Sequence, residues 1–306
     1  MNSFMILEVK ELNKSYGNKQ ILTDINFKVF SGSTLGLLGR NGHGKTTTMK
    51  AIMGIITSDS GNITVDDIPI KKTDLKLGYL PEERGLYQKI KIIEQMVYFG
   101  KLRGLTAKES KKASINLLEK LEMTEYINQK AEILSKGNQQ KIQLAIAVLN
   151  EPDILILDEP YSGLDPVNSR LLQTIIEENT KKNKIILFSS HQLNTVEEFC
   201  KDICIINHGK VLINGNLREI KNMYPKNRLQ IVPNISNDEE LLKIIADMNE
   251  YIESYEKTEN GVILHLKDYG YKSKILNDIL SKIDIISFSV IEPTLLEIFL
   301  ERIGNA

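Results

Sequence analysis

Apolar residues along this chain come in two textures, one alternating or continuous over a few positions, the other recurring at three and four. Residues 5–10 and 21–30 are rich in Ile, Leu, Val and Phe with partial alternation, which predicts two strands joined through the turn Tyr16-Gly17-Asn18. Leu35 to Leu38, Gly61 to Val65 and Lys76 to Leu80 predict three more strands, the last stopped by Pro81. From Ile92 to about Gln129 the spacing changes. Ile92, Met96, Val97 and Phe99, then Ile115, Leu118 and Leu121, recur at helical intervals with charges between them, and predict a helical insert. Gly137 to Leu149 follows as a further amphipathic helix, so the insert covers about 92–140. Ile154 to Leu157 is wholly apolar between Pro152 and Asp158, the pattern of a strand buried on both faces. Pro166 to Thr180 returns to helix, Lys184 to Phe188 to strand and Gln192 to Cys200 to helix. Strands alternating with helices imply an α/β fold, a parallel sheet with helices packed on it.

After Leu217 loop residues thicken through Met223-Tyr224-Pro225-Lys226-Asn227, which places a boundary between a domain at 1–223 and one at 226–306. The second reads strand (Leu229 to Val232), helix (Asp238 to Met248), strand (Tyr251 to Lys257), strand (Val262 to Lys267), helix (Lys272 to Lys282) and strand (Asp284 to Val290), then a helix from Thr294. That βαββαβ order predicts a small ferredoxin-like α+β domain.

Composition narrows the picture. The chain has 306 residues, 42% of them apolar, enough for one large core or two ordinary ones. A formal net charge of −1 gives no basic footprint for nucleic acid, so none is expected as a partner. Cys200 and Cys204 are the only cysteines, too few for a disulfide framework or a zinc site, and fit a reducing cytosol as buried small side chains. No run approaches the ~18 apolar residues of a membrane span. Met1 to Lys10 lacks the basic start and apolar core of a secretory signal. The chain is expected to be soluble alone, with any membrane role supplied by a separate partner.

The chemistry concentrates at Gly39-Arg40-Asn41-Gly42-His43-Gly44-Lys45-Thr46-Thr47, between an apolar strand and a helix. Gly, four residues, Gly, Lys, Thr in that context is a phosphate-binding loop. Its glycines let backbone N–H groups curl round an anion, and the helix starting near Lys45 aims its positive end at the same place. Lys45 is placed to reach β- and γ-phosphates, and the Thr46 hydroxyl to hold Mg²⁺. Asp158 and Glu159 end the apolar run at 154–157, and strand ends are where ligands sit in open α/β sheets. Asp158 suits Mg²⁺, directly or through water, and Glu159 suits a base that orients or deprotonates the attacking water. Ser135 stands at a helix N-cap with Gly137 just inside, where N–H groups can meet a phosphate. His191 follows an apolar strand through Ser189-Ser190, a position from which it can contact a γ-phosphate. Beyond the place of His43 in the loop, His43, His208 and His265 are assigned no chemistry.

In this order these residues resemble the ATP-binding cassette (ABC) ATPases over about residues 5–220. Tyr16 matches the aromatic that stacks on adenine, Gly39 to Thr47 the Walker A loop, and Gly78-Tyr79-Leu80-Pro81-Glu82 the Q-loop. Leu134-Ser135-Lys136-Gly137-Asn138 matches the signature specific to the family, Leu155 to Glu159 Walker B, Ser162-Gly163-Leu164-Asp165 the D-loop, and His191 the switch histidine. Three departures stand out. Lys136 and Asn138 replace the usual Gly and Gln. Glu82 replaces Gln, keeping an oxygen for Mg²⁺ while adding a negative charge and losing a donor. The C-terminal segment lies outside the core cassette. With Leu80-Pro81-Glu82-Glu83-Arg84-Gly85-Leu86-Tyr87, that segment looks most like the ATP-binding subunits of sodium-efflux-type bacterial exporters.

The resemblance implies a P-loop cassette fold, a mixed sheet with helices and a helical insert, with ATP and Mg²⁺ as cofactors and a head-to-tail pair of cassettes. Walker A of one and Ser135, Gly137 and Asn138 of the other would enclose each ATP, and hydrolysis would drive a separate integral-membrane permease, which puts the chain at the cytoplasmic face of the membrane. A soluble ABC ATPase acting on DNA or ribosomes is the alternative. The coiled coils of the DNA-repair forms and the second cassette of the ribosomal forms are both missing from this sequence. Lys45, Asp158, Glu159 and His191, all present, argue against a non-hydrolysing binder.

Overall fold

The computed structural model describes residues 4–83, 85–234 and 238–304. The chain divides into two compact units, Met1–Leu217 and Arg218–Ala306. In the first, strands β1 (Ile6–Tyr16) and β2 (Lys19–Phe30) form an antiparallel hairpin over the tight turn at Gly17-Asn18. After β3 (Thr34–Leu38), the phosphate loop leads into α1 (Lys45–Ile52). Then come β4 (Ser60–Val65), β5 (Ile68–Pro69) and β6 (Leu77–Leu80). The insert holds α2 (Ile92–Leu102) and α3 (Ala107–Lys120). Thr106 and Glu109 start α3 with a reciprocal capping box, in which each side chain takes an N–H of the other residue. The unit continues with α4 (Lys136–Val148), β7 (Ile154–Leu157), α5 (Pro166–Lys181), β8 (Ile185–Ser190), α6 (Leu193–Phe199), β9 (Asp202–Asn207) and β10 (Lys210–Asn216).

These strands form two sheets rather than one. A six-stranded sheet runs β10-β9-β3-β8-β7-β6, parallel throughout except for β10 against β9. A four-stranded antiparallel sheet runs β2-β1-β4-β5. The alternation of strand and helix predicts only the first. The early strands are joined by tight turns or short loops instead of crossover helices, so β1 and β2 pair antiparallel. The β9–β10 hairpin was not anticipated. Its signal is the pair His208-Gly209 between two apolar runs, with φ of 46° and 75°, both positive as a two-residue hairpin turn demands.

All residues of β3, β7 and β8 are buried, as expected for strands covered on both faces. Leu35 and Leu37 of β3 join Ile154, Ile156, Ile185 and Leu187 in a core closed by Met49 and Ile52 of α1. Each such side chain contributes on the order of 1.5–3 kcal/mol of burial. This packing sets the C-terminal ends of β3, β7 and β8 side by side.

Helix α7 (Leu217–Asn222) begins at the last residue of the first unit, and the second continues with β11 (Arg228–Pro233), α8 (Asp238–Ala246), β12 (Ile252–Thr258), β13 (Gly261–Leu266), α9 (Lys272–Leu280), β14 (Ile285–Ile291) and α10 (Leu295–Gly304). The antiparallel sheet is ordered β12-β13-β11-β14, the ferredoxin-like arrangement. Strict alternation puts Leu229 and Ile231 of β11 and Val262, Leu264 and Leu266 of β13 on one face. Leu241, Ile244 and Ile245 of α8 and Ile275 and Ile279 of α9 cover that face.

Candidate functional site

Gly39 opens the phosphate loop at φ 152°, where a Cβ would stand 2.3 Å from the backbone oxygen of Ile206 on the neighbouring β9. Only glycine lets the loop leave the sheet so close to that strand. Arg40, Asn41 and Gly42 are exposed, His43 half-buried, and Gly44 caps α1 at φ 108°. Lys45 is 5% exposed. Its Nζ donates to the Gly39 carbonyl at 2.7 Å and the Arg40 carbonyl at 3.4 Å, and lies 3.4 Å from Glu159 Oε1. Thr46 and Thr47 are half-buried in the first turn of α1, beside the unbonded N–H groups of a helix start.

Asp158 and Glu159 leave β7 beside this loop, and both are buried, at 0% and 6% exposure. The Asp158 N–H donates to the Leu80 carbonyl at 2.8 Å, which ties the turn to β6. Ser189, near the end of β8, does two jobs. Its Oγ donates to Asp158 Oδ1 at 2.5 Å and accepts the Glu159 N–H at 2.8 Å. Glu159 has φ 48°, a left-handed backbone rare for a non-glycine residue, and the Ser189 contact helps to hold it there. His191 Nδ1 lies 2.8 Å from Glu159 Oε2, so Nδ1 carries the hydrogen whenever Glu159 is ionised. The ring itself is 44% exposed. Glu159 is therefore held between two basic side chains, Lys45 on one oxygen and His191 on the other.

Among the described residues, Asp158 Oδ2 is buried with no hydrogen-bond partner, while Glu159 Oε1 has none beyond its ion pair with Lys45. A buried carboxylate oxygen left unpaired costs free energy, and such oxygens are usually explained by a ligand or ion. With Thr46 on the first turn of α1, Asp158 Oδ2 supplies the kind of oxygen that a cation such as Mg²⁺ takes. Glu82 is exposed just beyond β6. Burial raises the Tyr79 phenol above its ordinary value, and the charges of Asp158 and Glu82 push it further, so Tyr79, Glu82 and Asp158 share one end of the sheet.

Tyr16 ends β1 with 52% of its surface exposed, and Lys14 Nζ sits 5.4 Å from the centre of its ring. Asp59 anchors that strand end, accepting from Lys14 Nζ at 3.0 Å and from the Ser15 N–H at 2.6 Å. Ser135 is exposed and caps α4, its Oγ accepting the Asn138 N–H at 3.2 Å. Among the described residues, no hydrogen bond or ion pair joins Ser135, Gly137 or Asn138 to the phosphate loop. Asp165 caps α5 through the Asn168 N–H at 2.9 Å. The two cysteines are free and buried, and burial raises both thiols.

Lys45, Asp158, Glu159 and His191 thus form one cluster, with Thr46 and Thr47 on the adjoining helix turn. Tyr16 and the start of α4 lie on other elements. Ser189 was missed in the sequence, although two polar residues closing a wholly apolar strand, next to the strand that carries the carboxylates, were a readable sign.

Comparison with known proteins finds the family described as ABC transporter over residues 22–162 and the family described as ATP-binding protein DrrA1-3-like, C-terminal domain, over residues 215–303. The uncharacterized ABC transporter ATP-binding protein YhaQ of Bacillus subtilis (strain 168) is 38% identical over 300 residues, covering 98% of this chain and 99% of the relative. The linearmycin resistance ATP-binding protein LnrL of the same organism is 30% identical over 98% of this chain and 99% of its own. A solved ATP binding subunit of an ABC transporter matches with TM-score 0.66 at 31% identity, over 71% of this chain and 92% of that one.

Proposed function

This chain belongs to the ABC transporter ATP-binding proteins, and from that premise we propose that it hydrolyses ATP to drive export through a separate membrane permease. The observation that carries the catalytic part is the cluster at the ends of β3, β7 and β8: Lys45 and His191 on the two oxygens of a buried Glu159, with Asp158 beside it. The loop N–H groups and Lys45 hold the β- and γ-phosphates of the substrate, and Tyr16 stacks on its base. Thr46 and Asp158, with Glu82, hold Mg²⁺. When bound, that ion supplies positive charge to the phosphate oxygens. Glu159 orients the attacking water and accepts its proton. His191, hydrogen-bonded to Glu159, steadies that carboxylate and turns its exposed edge to the γ-phosphate.

Ser135, Gly137 and Asn138 make no bond to the phosphate loop of their own chain, which favours their acting on the nucleotide of a second cassette. Among the described residues no helix is long and apolar enough to cross a membrane. Export is favoured by a relative described as Nod factor export ATP-binding protein I of Cupriavidus pinatubonensis (strain JMP 134 / LMG 1197), 31% identical over 70% of this chain and 67% of its own. The carboxy-terminal unit has no phosphate loop and is assigned to tuning how readily two cassettes close.

The test is phosphate release from Mg²⁺-ATP by the purified chain. Glu159→Gln should keep ATP binding and lose about 10²–10⁴-fold in turnover, the usual contribution of a general base. Lys45→Ala should weaken ATP binding itself. Turnover by Glu159→Gln at the wild-type rate removes Glu159 from the role.

A further inference from the structure

The phosphate loop is fastened to the β9–β10 turn by two histidines that the mechanism above does not use. The His43 and His208 rings lie against each other, with centroids 4.4 Å apart and planes tilted by 33°. The His208 N–H donates to His43 Nδ1 at 3.3 Å, and the Gly209 N–H donates to the His43 carbonyl at 3.2 Å. Gly209 is in turn bonded to β2 through the Thr23 N–H, which reaches its carbonyl at 2.7 Å. One loop residue is thus held on its side chain and its backbone by a turn that β2 supports.

We propose that His43 and His208 are a positioning pair that holds the phosphate loop in its nucleotide-binding shape, and that nucleotide affinity falls when His43 takes up a proton. The proposal rests on the ATP-binding reading above. Its chemistry follows from which nitrogen does the bonding. A neutral His43 has a lone pair at Nδ1 to accept the His208 N–H, whereas the cation has a hydrogen there that opposes it. Protonation also adds a charge among cations. The ionisable groups facing His43 are Arg40 and Lys45 from its own loop and helix and His208 from the turn, while Asn207 contributes a side-chain hydrogen bond. Burial comes first, then His208, Arg40 and Lys45, in holding His43 below the ordinary histidine value, against the opposing pull of Asn207. The sign follows: the clamp is intact above the titration of His43 and is lost as pH falls through it.

Two variants separate positioning from bulk. His43→Phe keeps an aromatic face against His208 but neither accepts nor titrates. His208→Asn removes the facing ring and one titratable neighbour, and asparagine tolerates the positive φ of 46° at that turn position. With four histidines in the chain, imidazole NMR can follow each one. His43 should titrate below the ordinary histidine range, and His208→Asn should raise it. In parallel, calorimetric titration with Mg²⁺-ADP from pH 7.5 to 5.5 should show wild-type affinity falling several-fold more than that of His43→Phe, so that the titration of the nucleotide itself cancels in the comparison. The proposal is overturned if His43 titrates in the ordinary range in both proteins. It is also overturned if wild type and His43→Phe share one pH profile, or if wild-type affinity rises on acidification relative to the variant. A chain with the stated His43 titration that binds no nucleotide at any pH refutes the ATP-binding reading and, with it, the affinity half of this proposal. Binding with a shared profile refutes the pair alone.

Discussion

At the scale of single residues the site rests on buried charge. Glu159 is buried at 6% exposure between Lys45 and His191, and its left-handed backbone is held by Ser189. Glu82 is different. It is exposed, beyond the end of β6, and stands where the family has glutamine. In the proposed site its carboxylate would offer Mg²⁺ an oxygen but set a negative charge near the γ-phosphate. Glu82→Gln should therefore remain active with turnover at or above wild type, and Glu82→Ala should need more Mg²⁺ for half-maximal hydrolysis. A Mg²⁺ titration of phosphate release in which both variants overlay the wild type excludes Glu82 from the site. Most residues of the cluster were legible because their chemistry demands particular side chains at particular spacings, as at Lys45 in its loop or Asp158 and Glu159 after Ile154 to Leu157. Ser189 and the His43–His208 contact were not, because they depend on which strands become neighbours. Ser189 meets Asp158 only because β8 lies beside β7, and His208 meets His43 only because β9 lies beside β3.

At the scale of elements, the site exists because strands of one parallel sheet end together and α1 starts where β3 stops. The turn between them is constrained unevenly along its length. A Cβ at Gly39 would stand 2.3 Å from the Ile206 backbone oxygen, while one at Gly42 would meet nothing within 4 Å. Both have positive φ, which alone costs a non-glycine residue roughly 1–2 kcal/mol. Gly39→Ala must in addition move backbone against backbone. It should lower the thermal unfolding midpoint by clearly more than Gly42→Ala does, each kcal/mol being worth about 2–4 °C in a unit of this size. Calorimetric scans of the two variants check this, and equal midpoints would mean that the loop is not held against β9 as described. The buried strands β3, β7 and β8 were readable as apolar runs, and α3 by its period. The antiparallel sheet of β1, β2, β4 and β5 was not, because periodicity identifies a strand without naming its partner.

At the scale of the whole molecule, every residue assigned to ATP lies in the unit Met1–Leu217, and the unit Arg218–Ala306 has a core of its own. A chain ending near Met223 should therefore bind ATP with nearly full-length affinity, while its ATP-driven dimerisation changes several-fold. Coupling energies of about 1–3 kcal/mol are enough for that. A soluble truncated chain that binds no ATP would show that this division of labour is wrong. The central claim is that the cluster around Glu159 hydrolyses an ATP enclosed by two cassettes. Sedimentation velocity of Glu159→Gln, with and without saturating Mg²⁺-ATP, tests it most directly. The account predicts a monomer that becomes a stable dimer when ATP is added, because binding and closure are kept while the step that reopens the pair is lost. A Glu159→Gln chain that binds ATP and stays monomeric at every concentration would contradict it.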